Sequence, residues 1–146
     1  MSSIYPAIDS AKATSSTHVR VRFAETDLMG IVHHSSYLLY FEAGRVEWLR
    51  ARGVTYADWA AKGVHLPVVE ANLVYRAPAR FDDHLTVETV LSELRAASLK
   101  FSYRVVRDEQ LLVEGYTRLA CIDEKHSLIR IPEYMRDVVL SAPHIA

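Results

Sequence analysis

The hydrophobic period of this sequence changes once, near Pro67, and that change constrains the fold more than any other feature. Residues Tyr37 to Arg52 carry apolar side chains at helical spacing, whereas apolar and polar residues alternate one by one after Pro67. The helical segment is apolar over most of its circumference, so other elements must wrap around it. We therefore predict a single α+β domain in which a curved, mostly antiparallel sheet surrounds one long central helix.

The boundaries of the elements follow from the same periods and from residues that begin or end helices. Ser35 or Ser36 can cap the long helix, and Gly53 follows its end. Glu42 and Arg45, three residues apart on that helix, favour a structural ion pair, with a water-orienting base as the alternative for Glu42. Strands are predicted at 18–23, 69–75, 85–92, 99–105 and 111–122, and two shorter helices at 56–61 and 133–140.

Residues 1–17 are predicted to form a flexible N-terminal lead-in, and residues 18–146 the folded domain. The lead-in lacks the charged start and apolar stretch of a secretory signal, and no apolar run in the chain is long enough to span a membrane. Cys121 is the only cysteine, which favours a reducing compartment. These features predict a cytoplasmic protein without a membrane partner.

The charge balance argues against a nucleic-acid partner. Lys and Arg number 17 and Asp and Glu number 18, so the formal net charge is -1. A chain this close to neutral has no broad electrostatic field for a phosphate backbone. We predict that the protein does not bind nucleic acid.

One acidic side chain, Asp27, lies in the turn between the first strand and the long helix. Unpaired N–H groups at a helix start favour developing negative charge. A carboxylate beside such donors can attack a carbonyl carbon, which indicates an enzyme. The alternative is that Asp27 is an ordinary turn residue. Glu25 is interpreted as a solvated side chain or as a partner for Arg20 or Arg22.

Four segments between Val19 and Asp123 occur in a characteristic order. They are Thr26-Asp27 followed by Gly30-Ile31-Val32-His33-His34, the helical segment 37–45 (YLLYFEAGR), the segment 74–83 (VYRAPARFDD) and the segment 94–99 (LRAASL). In this order and spacing the sequence resembles the hot-dog-fold acyl-CoA thioesterases of the 4-hydroxybenzoyl-CoA thioesterase-like group. The resemblance implies hydrolysis of an acyl-CoA thioester at a subunit interface, without a metal or another cofactor.

The resemblance also implies roles for individual residues. Asp27 lies where the group carries its catalytic carboxylate, acting as a nucleophile or as a general base for water. Gly30 fits the tight turn before the helix, and the backbone N–H of His34 lies where the group polarises the thioester carbonyl. Arg95 and Ser98 fall in the region that contacts the pantetheine or nucleotide arm of CoA.

Two further residues are candidate substrate or CoA contacts. Tyr37, at the start of the long helix, has a place in the core or an interface as its alternative. Arg76 is a possible phosphate contact, with ordinary surface charge as its alternative. Ala96 and Ala97 stand where some relatives carry basic residues, which leaves room for an acyl-carrier-protein substrate.

Other functions stay open at this point. Asp27 and the side chain of His34 could serve a hydratase or dehydratase, and a non-catalytic acyl-CoA-binding module is a rival of a different class. His33 and His34 are adjacent, but no carboxylate or histidine stands at a convincing helical spacing from them, so we predict no metal site. The open sheet edge of such a fold predicts a homodimer or a tetramer.

Overall fold

The computed structural model describes residues 8–144. In this part of the chain there are five strands and three α-helices, with a single 3-10 turn at Phe23–Glu25. The elements in chain order are β1 (Thr14–Arg20), α1 (Ser36–Arg50), α2 (Tyr56–Ala60), β2 (Val68–Tyr75), β3 (His84–Leu94), β4 (Ser98–Arg107), β5 (Gln110–Ala120) and α3 (Glu133–Val139). No helix formed by these residues is long and apolar enough to cross a membrane.

The five strands form one antiparallel sheet in the order β1-β3-β4-β5-β2. The last two strands form an antiparallel hairpin, in which residues Ser98 to Arg107 of β4 pair with β5. Helix α1 packs on the inner face of β1, β3 and β4. The predicted α+β layout, with an antiparallel sheet around one long helix, is confirmed.

The core lies between α1 and the inner face of the sheet. Phe41 stacks on Tyr103 of β4 with ring centroids 4.1 Å apart, and Trp48 meets Phe101 edge-on at 5.0 Å. Gly44 allows this close approach, because a Cβ at that position would overlap the Thr89 side chain. Large aromatic side chains in such contacts contribute much of the apolar area that a domain of this size can bury.

The helix is not buried all round, although its apolar circumference predicted that other elements would wrap around it. Leu38 and its neighbour Leu39 are 41% and 51% exposed, whereas Tyr37, Tyr40 and Phe41 are buried. The sheet covers the side of α1 that carries the aromatic residues. The opposite side of the first two turns keeps its leucines at the surface of the protomer.

Strand β1 begins at Thr14, four residues before the predicted start at His18, so the end of the predicted lead-in lies in the sheet. Residues 14–17 are Thr and Ser, which give no apolar alternation to reveal a strand. The strand ends at Arg20, three residues before the predicted end at Phe23, although the Val21 N–H still donates to the Asp83 carbonyl at 2.9 Å. Of the rest of the predicted lead-in, residues 8–13 are described and include the buried Ala13, whereas residues 1–7 lie outside the described residues.

The predicted ion pair between Glu42 and Arg45 does not form. Arg45 is 8% exposed and donates to the hydroxyls of Tyr56 and Tyr103, both at 3.0 Å. Glu42 is exposed. The phase of α1 turns Arg45 under the sheet and Glu42 outward, so neutral hydroxyls satisfy the buried guanidinium.

The predicted serine cap of α1 was also wrong. Ser35 is the residue before the helix, but it has helical dihedral angles, and its side chain accepts no backbone N–H. Its hydroxyl instead lies 2.8 Å from Nδ1 of His33. The hydroxyl of Ser36 donates to the carbonyl of Glu25 at 3.3 Å. The serine side chains at the helix start therefore bind the preceding loop and do not cap the N–H groups of the first turn.

Candidate active site

Residues 26–32 form a tight hairpin loop between the 3-10 turn and α1. The Asp27 N–H donates to the Ile31 carbonyl and the Gly30 N–H to the Asp27 carbonyl, both at 2.9 Å, while Thr26 and Val32 pair as an antiparallel bridge. Gly30 has a φ of +77°, a conformation that residues with a Cβ rarely adopt. Gly30 therefore closes the tight turn predicted for it.

Asp27 is half-buried in this loop, and only one of its carboxylate oxygens accepts a hydrogen bond from residues 8–144. Oδ1 accepts the Met29 N–H at 2.8 Å, which fixes the side-chain rotamer. Oδ2 receives no hydrogen bond from residues 8–144. An oriented carboxylate with one oxygen available suits either a nucleophile or a general base.

His34 stands two residues before α1, and its backbone supplies the donor expected there. Its N–H has no acceptor among residues 8–144. Its carbonyl accepts a hydrogen bond from the Tyr75 hydroxyl of β2 at 2.9 Å, which holds this segment against the edge of the sheet. The His34 imidazole is exposed and lies against the ring of His33 at a centroid distance of 4.2 Å.

Asp27 and His34 line one cleft of about 390 Å³ between the hairpin loop, the start of α1 and the end of β2. Two other predicted contact residues, Tyr37 and Arg76, line the same cleft, so it brings together four of the seven predicted residues. Gly30 lies in the adjoining turn. The lining is mostly apolar and consists of Asp27, Met29, Ile31, Val32, His34, Tyr37, Tyr75, Arg76, Ala77 and Pro78.

Arg95 and Ser98 do not line this cleft. They form the turn between β3 and β4, where the Arg95 N–H donates to the Ser98 carbonyl at 2.8 Å and the Arg95 guanidinium to Glu93 at 2.8 Å. The cleft adjoins the segment before β3, since the Val32 N–H donates to the Ala79 carbonyl. The 11 residues of β3 separate the two places, a distance of roughly 35 Å along the strand. Their contact with CoA stays a prediction.

Two residues near the cleft were not predicted as site residues. Tyr75 was assigned only to a strand, and nothing in the local sequence indicates that its hydroxyl reaches His34, 41 residues away. Glu25 was expected to be solvated or paired with Arg20 or Arg22. It is 6% exposed and pairs with Arg22 at 2.7 Å, so the pairing is confirmed and the solvation was wrong.

A groove of about 480 Å³ on the outer face of the sheet is a weaker candidate for the active site. Its charged residues are already paired, with Arg104 and Glu88 at 2.8 Å. Among residues 8–144, no group of three or more His, Cys, Asp or Glu side chains is arranged to hold a metal ion. The cleft at Asp27 is the stronger candidate, because it combines a carboxylate that has an available oxygen with a residue whose backbone N–H has no partner among residues 8–144.

Comparison with known proteins shows the family of this chain. Residues 21–140 match the sequence profile of the thioesterase-like superfamily. The chain is 37% identical over 106 residues to the acyl-CoA thioester hydrolase YbgC of Escherichia coli O6:H1, a match that covers 72% of this chain and 79% of the relative.

Solved structures have the same fold. A hypothetical protein, TT1821 from Thermus thermophilus, superposes with a TM-score of 0.83 at 47% identity, covering 86% of this chain and 96% of that one. A DHNA-CoA thioesterase from Staphylococcus aureus superposes with a TM-score of 0.80 at 29% identity, covering 85% of each chain.

Proposed function

The chain belongs to the thioesterase-like superfamily and is a hot-dog-fold thioester hydrolase, and from this premise we propose that it hydrolyses acyl-CoA with Asp27 as the catalytic carboxylate. The backbone N–H of His34 polarises the thioester carbonyl. The single observation that supports the proposal is that one cleft is lined by Asp27, which has an available carboxylate oxygen, and by His34, whose backbone N–H has no partner among residues 8–144.

In the general-base route, water attacks the thioester carbonyl. Asp27 takes a proton from water as the new C–O bond forms, and the His34 N–H stabilises the oxyanion. The C–S bond then breaks, and the CoA thiolate receives the proton that Asp27 holds. A positioned general base contributes about 10²–10⁴-fold, and one oxyanion donor about 2.7–4 kcal/mol.

In the nucleophilic route, the Asp27 carboxylate attacks the thioester carbonyl itself. The C–S bond breaks, CoA leaves as the thiol after taking a proton from solvent, and an acyl anhydride of Asp27 remains until water opens it. Rapid quenching followed by mass spectrometry of the intact chain separates the routes. A transient mass increase equal to the acyl group, located on the peptide that contains Asp27, indicates the nucleophilic route.

The substitution Asp27→Asn tests the proposal. It keeps the size of the side chain and an oxygen that can accept the Met29 N–H, but it removes the negative charge. We expect kcat for thiol release from acyl-CoA to fall by about 10²–10⁴-fold. Asp82→Asn is the control, because Asp82 is also a turn aspartate but is exposed and does not line the cleft. Unchanged kcat in Asp27→Asn would contradict the proposal.

We propose acyl-CoA as the substrate because relatives are named acyl-CoA thioesterases. The alternatives are an acyl-carrier-protein substrate, a hydratase activity and a non-catalytic binding module. One relative, 27% identical over 120 residues, is named an acyl-acyl carrier protein thioesterase from Arabidopsis thaliana. A thiol-release screen over short, long, branched and aryl acyl groups, on both CoA and carrier protein, compares the two substrate classes. Water addition to an enoyl-CoA without thiol release would identify a hydratase instead, and binding without any turnover a non-catalytic module.

We also propose that the active protein is a homodimer built through β2, or a tetramer made of two such dimers. This edge strand is open and exposes apolar side chains that include Val68, Val69, Val74 and Tyr75. A second copy pairing along β2 would extend the sheet and cover these residues. Light scattering at working concentration tests this, and a monomer would contradict it. The cytoplasmic location stays a prediction.

A further inference from the structure

Glu25 is a buried acid two residues before Asp27 that neither hydrolysis route uses. We propose that Glu25 is a positioning residue, which sets the distance between the Asp27 carboxylate and the His34 backbone N–H. The inference rests on the proposed function of the cleft. It assigns to Glu25 no contact with substrate or with the reacting atoms.

The Glu25 carboxylate joins the loop to the helix. It accepts hydrogen bonds from the backbone N–H of Arg22 at 2.9 Å and from that residue's Nε and Nη2 at 2.9 and 2.7 Å. Its fourth donor is the Tyr40 hydroxyl at 2.9 Å. Because Tyr40 lies one turn into α1, the carboxylate holds the 3-10 turn against the first turns of that helix.

The backbone of Glu25 makes a second connection to the same helix start. Its carbonyl accepts the His33 N–H at 2.8 Å and the Ser36 hydroxyl at 3.3 Å. Asp27 follows Glu25 by two residues, and His34 follows His33 by one. Glu25 is therefore linked to both proposed reactive groups. Asp27 follows it closely in the chain, and His34 is next to His33, whose N–H binds the Glu25 carbonyl.

The charges around Glu25 keep this connection intact at the pH values where a thioesterase works. Burial raises the pKa of Glu25, but hydrogen bonds from the Arg22 backbone, the Arg22 side chain and Tyr40 outweigh it and leave the pKa below its ordinary value. Burial and the hydrogen bond to Glu25 raise the pKa of Tyr40. Glu25 thus stays ionised and Tyr40 stays protonated.

Such a connection matters because reacting groups are sensitive to small displacements. A misplacement of about 1 Å costs about 10²-fold in rate. Loosening Glu25 should therefore lower kcat and leave KM nearly unchanged, because the apolar wall of the cleft does not depend on it. A merely structural role would lower the unfolding temperature without changing kcat per folded molecule.

The test compares Glu25→Gln, Glu25→Leu and Tyr40→Phe by steady-state thiol release, well below each variant's unfolding midpoint. We expect kcat to fall about tenfold in Glu25→Gln, which keeps an acceptor oxygen, and about 10²-fold in Glu25→Leu. Tyr40→Phe should fall about tenfold and be non-additive with Glu25→Gln, since both remove one connection. KM, and the dissociation constant of a non-hydrolysable thioether analogue, should stay within about threefold.

Tyr116→Phe is the matched control, because its hydroxyl donates to Glu70 at 3.0 Å in the same kind of tyrosine–glutamate pair on the outer face. It should leave kcat unchanged. Wild-type kcat in both Glu25→Gln and Tyr40→Phe would overturn the inference, as would a fall matched by Tyr116→Phe. Asp27→Asn distinguishes the proposed function from the positioning role: if it lowers kcat as expected while Glu25→Gln and Tyr40→Phe keep wild-type kcat, only the positioning role fails.

Discussion

Strands β1 and β2 are both edges of the sheet, but α1 covers the inner face of β1 and leaves β2 exposed along nearly its whole length. Strand β1 is polar and alternates between exposed and half-buried residues. Strand β2 carries valine, leucine and tyrosine, yet only Leu73 is partly buried. An apolar edge that its own protomer does not cover suits pairing with a second copy, whereas the polar edge discourages it.

Different side-chain contacts also hold the two edge strands to the rest of the protomer. At the β1 side, Arg52 is 2% exposed and donates to the carbonyls of Lys12, Trp48 and Ser141 and to the Ser15 hydroxyl. At the β2 side, Arg118 pairs with Glu70 at 3.0 Å and with Glu93 at 2.9 Å. One edge is held by a buried guanidinium among neutral oxygens, and the other by partly exposed ion pairs.

The largest expected effect comes from placing a charge on the open edge. Ala71 is an exposed residue in the middle of β2, so Ala71→Asp would bury an unpaired carboxylate if a second copy pairs there. We expect the dimer dissociation constant to rise about 1000-fold, or about 4 kcal/mol. Analytical ultracentrifugation measures it. Ser16→Asp on β1 is the control, and equal effects of the two changes would show that the edges do not differ.

The next largest effect concerns the fastening of β1. Arg52→Met keeps much of the apolar length of the side chain but leaves several carbonyls without a donor. We expect the free energy of unfolding to fall by about 3 kcal/mol in a urea titration, with kcat per folded molecule unchanged. A loss below about 1 kcal/mol would mean that water replaces the guanidinium at these carbonyls.

A smaller effect should follow from separating β2 from the active-site segment. Tyr75→Phe removes the hydroxyl that binds the His34 carbonyl, so the proposed oxyanion donor loses one support. We expect kcat to fall about fivefold, corresponding to about 1 kcal/mol. Tyr134→Phe, a partly exposed tyrosine on α3, is the control. Steady-state thiol release that is unaffected in Tyr75→Phe would show that β2 does not hold this segment.

The smallest effect is the pH dependence of stability that comes from Glu93, the β3 carboxylate that pairs with Arg118. Burial raises the pKa of Glu93, but hydrogen bonds from Arg95, Arg118 and Lys100 outweigh it and lower the pKa to about 2. A carboxyl whose pKa is lower in the folded state stabilises the fold above its unfolded pKa near 4.5, and this stabilisation is lost as the pH falls toward 2.

Because Glu93 is partly exposed, solvent screening limits the contribution to at most about 1 kcal/mol. The free energy of unfolding should therefore decline less steeply between pH 4.5 and 2 in Glu93→Gln than in the wild type. The pKa of Arg52, lowered to about 10 by burial, contributes nothing to this acid range. A parallel decline in both proteins would mean that the ion pairs of Glu93 do not stabilise the fold.

Local patterns predicted most of the fold because strands and helices depend on near neighbours. The alternation in β3, β4 and β5 located these strands within a few residues. Strand β1 started earlier than expected because Thr and Ser carry no apolar signal. The Glu42–Arg45 pair failed for a different reason: three-residue spacing makes contact possible, but the phase of α1 against the sheet put one side chain inside and the other outside.

The sequence by itself determined the order of elements and the placement of Asp27 in a turn before a helix, since both depend on the periods of short segments. Only the tertiary structure decided what surrounds Asp27. The fold brings Tyr75 to His34 across 41 residues, buries Glu25 against Tyr40, and puts Arg95 and Ser98 at the far end of β3. These contacts follow from strand pairing and from how the helix lies on the sheet, which no local pattern encodes.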